Sequence, residues 1–529
     1  MGTTTRVAGG VCVLIGALYA AMVTAHAAVP TVHIESGVLS GIHDAAIGLD
    51  EFKGIPYAAP PVGPLRWKPA QPVAAWEGVR AADHFGPRCT QLPLFSDMVF
   101  RSNGMSEDCL YLNVWTPAGS EGKKLPVLVY FFGGGFLAGD GSEPRYDGAS
   151  LARRGIVTVT VNYRLGVFGF LALPALAAES PHHATGNYGL LDQVAALRWV
   201  HRNVASFGGN PDEVTVGGES AGSMSVSALM ASPLSRGLVQ RAIGESGALL
   251  GNLKPQPRAL AEREGEAFER RVGAHSLVDL RAMPADKLLA ASGHKGVPAF
   301  VPDSDGWFLP RSTQAIYEAG AQAHIPLLVG SNSEEGSYVS LLDGKPPTPA
   351  NYRAAVKRLY GAHAAEVLKR YPGNDEAEVK ASGTALAGDR FIAFTTWRWM
   401  QLQRTTGDAP VYYYYFTKAR PATRSGSEGP GTGALHSGEI EYALGNLSSN
   451  HVYAWTHADY VVSATLEGYF ANFIKTGDPN GPGLPHRPPA TPKHGGLLRQ
   501  VIGVDTHTIV GHAAARYELL ERIEADAHL

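Results

Sequence analysis

The chain is poor in cysteine, has no surplus of basic residues, carries no long apolar run beyond its first 28 residues and shows no internal repeat. Each absence excludes something. Lys+Arg 45 against Asp+Glu 48 leaves a net charge of -3, so there is no basic excess to neutralise a phosphate backbone, and nucleic acid is not expected as a partner. Without heptads or a fixed period there is no coiled coil and no solenoid. Without a second long apolar stretch there is no polytopic membrane protein. With no C-x-x-C, no H-E-x-x-H and no Walker pattern, neither a metal nor a nucleotide cofactor is expected. What remains is an ordinary globular composition, 45% hydrophobic and 18% charged, with 62 glycines in 529 residues against a usual ~7%. An aperiodic glycine excess of this kind fits a loop-rich α/β protein with many tight turns.

Residues 1–28 read as a secretory signal. Arg6 is the only charge, Val7 to Val23 is uncharged, and Ala25-His26-Ala27 supplies the small-x-small cleavage pattern. Gly9, Gly10, Gly16 and a length short of about 20 apolar residues argue against a membrane anchor. The mature protein is therefore expected to be secreted or periplasmic, with no stable membrane span. Cys12 leaves with the signal, so Cys89 and Cys109 are left to form a disulfide in an oxidising compartment. In the chain-entropy model such a bridge stabilises by roughly 3 kcal/mol.

From Thr31 onward short β-rich runs alternate with helical patterns. Leu125–Phe132 and Ile156–Asn162 are continuous apolar or β-branched runs, as in strands buried on both faces. Val214–Gly217 and Ala242-Ile243 read as further strands, and Gly189–Ser206 has helical spacing. The region from about 250 to 420 is more helical, with Ala259–Val272 and Asn351–Tyr371 as helices, and it is expected to form a cap or side wall. Pro421–Gly433 and Pro479–Gly496 are turn-rich loops. No linker separates these parts, so residues 29–529 read as one α/β domain around a mostly parallel sheet.

Gly218-Glu219-Ser220-Ala221-Gly222 matches G-x-S-x-G, preceded by a strand pattern and followed by a helix-capable run, Ser223–Met230. That context suits a nucleophilic serine exposed on a strained strand-to-helix turn, beside the N–H groups of a helix N-terminus. Gly244-Glu245-Ser246-Gly247 has a glycine one place too early and fails the pattern. Gly133-Gly134-Gly135 directly follows a strand, where backbone N–H groups can approach a substrate oxygen with no Cβ in the way. A dinucleotide loop is the competing reading, but the next stretch, Leu137–Ser142, is loop rather than helix.

With these residues in hand, the sequence resembles the type-B carboxylesterase/cholinesterase family of the α/β-hydrolase fold. The resemblance spans nearly the whole mature chain. It rests on Phe52–Trp67, Ser106–Val114, Asn162–Gly166, Gly186–Gln193, Phe207–Pro211, Gly217–Gly222 and Thr476–Asn480. It implies a Cys89–Cys109 bridge and oxyanion donors at Gly134, Gly135 and Ala221. It also implies a triad acid at Glu335, in Gly330-Ser-Asn-Ser-Glu334-Glu335-Gly336, with Glu334 as the alternative. The base is implied at His436, in Ala434-Leu-His436-Ser-Gly-Glu439-Ile-Glu-Tyr442. The chain order Ser220, Glu335, His436 is the one this fold imposes. Glu219 resembles a family position that supports the site. An acyl pocket is implied at Gly296, Pro298 and Phe300, where small residues replace the aromatics of acetyl-selective relatives; larger acyl groups are therefore expected.

The loop Thr90–Asp108 has no Trp, only Phe95 and Phe100, which disfavours a cholinesterase. The family's G-L-P-x-W-P reads Gly483-Leu-Pro-His-Arg487-Pro here and leaves the packing there open. Asn446-Leu-Ser448 is a sequon that is either glycosylated or an unmodified turn. The implied function is hydrolysis of a small-molecule carboxylic ester through an acyl-enzyme. The same machinery acting on amides, carbamates or lipids, or a non-catalytic adhesion relative, are the alternatives.

Overall fold

A computed structural model describes residues 1–5, 29–493, 496–511 and 513–526. The signal segment read from the sequence falls almost wholly outside the described residues. Among the described residues no helix is long and apolar enough to cross a membrane, and no three His, Cys, Asp or Glu side chains are grouped to hold a metal ion.

Twelve strands form the central sheet: β1 (Ile42–Asp44), β2 (Leu49–Pro56), β3 (Tyr111–Pro117), β4 (Leu125–Phe131), β5 (Val157–Val161) and β6 (Gly209–Glu219), then β7 (Arg241–Glu245), β8 (Leu327–Asn332), β9 (Val411–Phe416), β10 (Pro492–Lys493), β11 (Gly496–Ile502) and β12 (His507–Gly511). Their spatial order is β10-β11-β9-β8-β7-β6-β4-β5-β3-β2-β1, with β12 on the side of β11. From β5 to β11 the core pairings are parallel; β1, β2 and β3 add an antiparallel edge. β5 is buried at every position and β4 over its last five, as its unbroken apolar run demands.

Helices cover the sheet, among them α1 (Tyr188–Asn203), α2 (Ala221–Ala231), α3 (Phe394–Thr406) and α4 (His457–Thr476). The 250–420 region is mostly helical as expected but also supplies β8 and β9 to the sheet, and the helix expected over Asn351–Tyr371 is broken. Helices Pro349–Tyr360 and Ala364–Arg370 are separated by a turn at Gly361, whose φ of 52° no β-carbon tolerates easily. Registry across the parallel strands brings Glu219, Glu245 and Gly330 level with one another, and Asn332 level with Phe416. The loops leaving β6, β7, β8 and β9 therefore emerge side by side at the C-terminal edge of the sheet, where open α/β sheets carry their sites.

Two open points of the sequence are answered at the periphery. Cys89 and Cys109 form a buried disulfide. Arg487 occupies the place of the family's Trp as a fully buried side chain, its guanidinium over the rings of Tyr414 (5.4 Å) and Tyr469 (5.5 Å). Its side-chain N–H groups meet no acceptor among the described residues, and burial lowers its pKa to about 10. An aromatic slot is thus filled by a cation resting on aromatic faces.

Candidate active site

The G-x-S-x-G stretch is explained by contacts its glycines could not otherwise make. A Cβ on Gly222 would lie 2.0 Å from the carbonyl oxygen of Phe131, and one on Gly218 would lie 2.6 Å from the same oxygen. With both absent, β6 turns directly into α2 through Ser220 at φ 54°, ψ -119°. A non-glycine residue there stores on the order of 1–3 kcal/mol of strain. Its amide donates to the Glu245 carbonyl at 2.8 Å, which holds the turn against β7.

The three chemistry-bearing side chains read from the sequence come together. His436 Nε2 is 3.0 Å from Ser220 Oγ, and His436 Nδ1 is 2.7 Å from Glu335 Oε2. The remaining oxygen of Glu335 accepts from Ser246 Oγ and from the Asn332 amide, both at 2.6 Å. Glu334 faces elsewhere: both its oxygens accept from Thr432 Oγ, at 2.8 and 3.0 Å. The loop bearing His436 is tied to the loop bearing Glu335 by Glu334 N to Ala434 O (2.8 Å) and by Asn332 Nδ2 to Leu435 O (2.8 Å). The ring edge of Phe391, on a π-helical turn before α3, meets the imidazole at a centroid distance of 4.9 Å.

Gly134 (φ 112°) and Gly135 (φ 65°) form a turn closed by Leu137 N and Ala138 N donating to Gly134 O, at 3.0 and 3.1 Å. The amides of Gly134, Gly135 and Ala221 donate to no acceptor among the described residues, while all three residues sit beside Ser220. They are available to an anionic oxygen.

Two further residues of the site, Ser246 and Glu439, carry no functional reading in the sequence. Ser246 belongs to the near-miss Gly244–Gly247 stretch; it ends β7 in the same positive-φ turn (54°) and donates to Glu335. Glu439, fully buried, receives hydrogen bonds from Asn332 Nδ2 and, at 3.3 Å, from Ser246 Oγ. Burial and the neighbouring Glu335 raise its pKa to about 7. The signals were present, as a second G-x-S-like turn one strand over and as the Glu three places after His436.

Burial lowers the affinity of His436 for its proton, but the carboxylates of Glu219 (3.3 Å from Nε2), Glu335 and Glu439 outweigh it and raise the pKa above the ordinary imidazole value. Glu219 is itself pushed up by burial, with His436 opposing. A base must be neutral to accept a proton, so activity is expected to rise with pH through the raised value. In Glu219→Gln the acid limb of kcat/KM should move to lower pH, toward about 6.5, because the first of the raising charges is gone. A pH–rate profile that does not move would place the proton on Glu219 rather than on the ring.

The site opens into a cavity of about 790 Å³, walled on its apolar side by Met224, Leu249, Leu253, Val301 and Phe391. The implied acyl-pocket residues are not brought to it. Gly296 and Pro298 are exposed, with nothing within 4 Å of a Cβ on Gly296. Phe300 turns inward to pack edge-on against Phe268, at a centroid distance of 5.2 Å. This stretch reaches the cavity at Val301 and Pro302, because Phe300 is held by the core, and Val297 and Pro298 before it border a separate pocket lined by Leu92, Leu137 and Leu289. The sequon is also answered: Asn446 is buried, and its amide nitrogen donates to the carbonyls of Arg145 (3.1 Å) and Asp147 (2.8 Å).

The family model for the carboxylesterase family matches residues 28–509. The chain belongs to the carboxylesterase family. It is accordingly a carboxylic-ester hydrolase with the α/β-hydrolase fold. Among its relatives, fumonisin B1 esterase of Sphingopyxis macrogoltabida is 37% identical over 79% of this chain and 76% of its own length. Para-nitrobenzyl esterase of Bacillus subtilis is 36% identical over 82% and 87%. Human cocaine esterase is 35% identical over 85% and 84%. This carboxylesterase thus shares most of its length with enzymes named for chemically different esters.

Proposed function

We propose that the protein is an exported serine esterase that cleaves medium-sized or bulky carboxylic esters through an acyl-enzyme. The observation that carries this reading is the unbroken hydrogen-bonded line from Ser220 Oγ through His436 to Glu335. In the proposed cycle His436 Nε2 takes the hydroxyl proton as Oγ bonds to the ester carbonyl carbon. The oxyanion is met by the amides of Gly134, Gly135 and Ala221, and the same proton then leaves with the alcohol as the C–O bond breaks. Glu335 holds the ring with Nδ1–H toward itself and stabilises the imidazolium. Water repeats the sequence on the acyl-enzyme and releases the acid. Glu219 keeps negative charge close to the imidazolium.

Bulky substrates are supported by the cavity volume and by relatives named for fumonisin B1, cocaine and p-nitrobenzyl esters. Export is supported by the pattern of residues 1–28 and by the Cys89–Cys109 bridge. The test is covalent. An organophosphate should label one residue, Ser220, in step with loss of p-nitrophenyl ester hydrolysis, as read by peptide mass spectrometry. Inactivation with the label on another residue would overturn the assignment.

A further inference from the structure

One wall of the cavity is polar in a way the hydrolytic cycle does not use. Arg145 and Arg420 both line it. The carboxylates that balance them stand behind it: Glu143 lies 2.9 Å from Arg145 Nε, and Glu441 accepts from Arg420 Nη2 at 2.8 Å, each only 1% exposed. Glu441 serves both cations, since Arg420 and Arg145 hold its carboxyl below the usual range although burial pushes it up. Arg420 also donates to the carbonyl of Ser437, the residue after His436, so this wall adjoins the reacting centre. Apart from Glu219, which belongs to the catalytic group, the carboxylate that shares the cavity surface is Asp97. It comes from the disulfide loop with a side chain 54% exposed and reaches Arg145 Nη1 at 3.2 Å, a long contact for a charge-assisted bond.

Guanidinium groups set in a cavity wall, with their permanent partners behind and a half-exposed carboxylate in front, form a recognition surface for an anion. We propose that the preferred ester carries a carboxylate of its own, bound by Arg145 and Arg420 where Asp97 reaches in. This rests on the serine-esterase reading of the same cavity and adds the class of substrate. Asp97 then acts as an internal stand-in that the substrate displaces, and a neutral ester gains nothing from that exchange.

The test compares pairs that differ in charge: ethyl hydrogen glutarate against ethyl pentanoate for a charge on the acid side, and 4-butyryloxybenzoate against 4-butyryloxybenzamide for a charge on the alcohol side. The readout is the ratio of kcat/KM within a pair, which does not depend on the fraction of folded enzyme. The ratio should exceed about tenfold in at least one pair, the range of a hydrogen bond to a charged group, and fall as salt rises from about 0.05 to 0.5 M. Arg420→Gln should lower it about tenfold, and Asp97→Asn should raise it a few-fold by removing the competitor. Neutral esters turned over with ratios near one, insensitive to salt and to both substitutions, would overturn the anion site and leave the triad standing. Failure to hydrolyse any of the four esters would instead count against the esterase reading itself, and this proposal would fall with it.

Discussion

Glu335→Gln is expected to lower kcat by about 10⁴-fold, while Glu334→Gln costs less than about tenfold. The two carboxylates are adjacent in sequence and differ entirely in what they meet. Glu335 Oε2 is 2.7 Å from His436 Nδ1; an amide there can present its N–H₂ to the ring and select the tautomer whose proton sits on Nε2, where it cannot take one from Ser220. Among the described residues the Glu334 carboxylate accepts from the hydroxyl of Thr432 alone, an interaction worth about 1 kcal/mol. Steady-state kinetics on one p-nitrophenyl ester, with circular dichroism to show both variants folded, decides the matter. Equal losses would mean that the two act together.

The second large effect is expected at the glycine turn. Gly134→Ala should lower kcat by about 10²–10³-fold, the usual cost of losing an oxyanion donor. At this position φ is 112°, and a Cβ would lie 2.1 Å from the Ala138 carbonyl oxygen, so the turn must open and its amides swing away from Ser220. Gly135→Ala is the control: φ is 65°, within reach of other residues at some strain, and nothing lies within 4 Å of the new methyl. It should lose far less. If the two variants fall by the same factor, the donors are not organised by this turn. Hydrolysis rates and organophosphate labelling of both variants provide the measurement.

Much of this arrangement is legible from sequence because a local steric rule imposes it. Gly218 and Gly222 are required by the passage of the Phe131 carbonyl, and the unbroken run of β4 is required by burial on both faces. The triad acid and base are placed by resemblance, since nothing in the composition of two loops separated by a hundred residues says that they meet. The distance of Gly296 and Pro298 from this cavity has the same origin in reverse. A motif aligned at Phe300 carries over positions, but the direction of the chain there is set by Phe268, a contact between distant segments. Arg145 and Arg420 could not be read in advance either, because one lies in a single 3-10 turn, Pro144–Tyr146, the other in a loop after β9, and their common ground is the cavity. Arg487 was visible as a missing Trp; that the cation itself would fill the space depends on two tyrosines from β9 and α4.

The clamp on Glu335 has a consequence for how binding energy is spent. With Oε1 occupied by a side chain from the end of β7 and by a main-chain amide at the end of β8, the carboxylate has no free rotation left, and only Oε2 faces the ring. The acid is oriented by the sheet before any ester arrives, much as a lathe is trued before the work is mounted. In the proposed cycle a substrate need supply no grip of its own to align Glu335 with His436, so even an ester offering little surface meets a prepared site. What larger substrates gain from the cavity goes into affinity and choice rather than into assembling the chemistry.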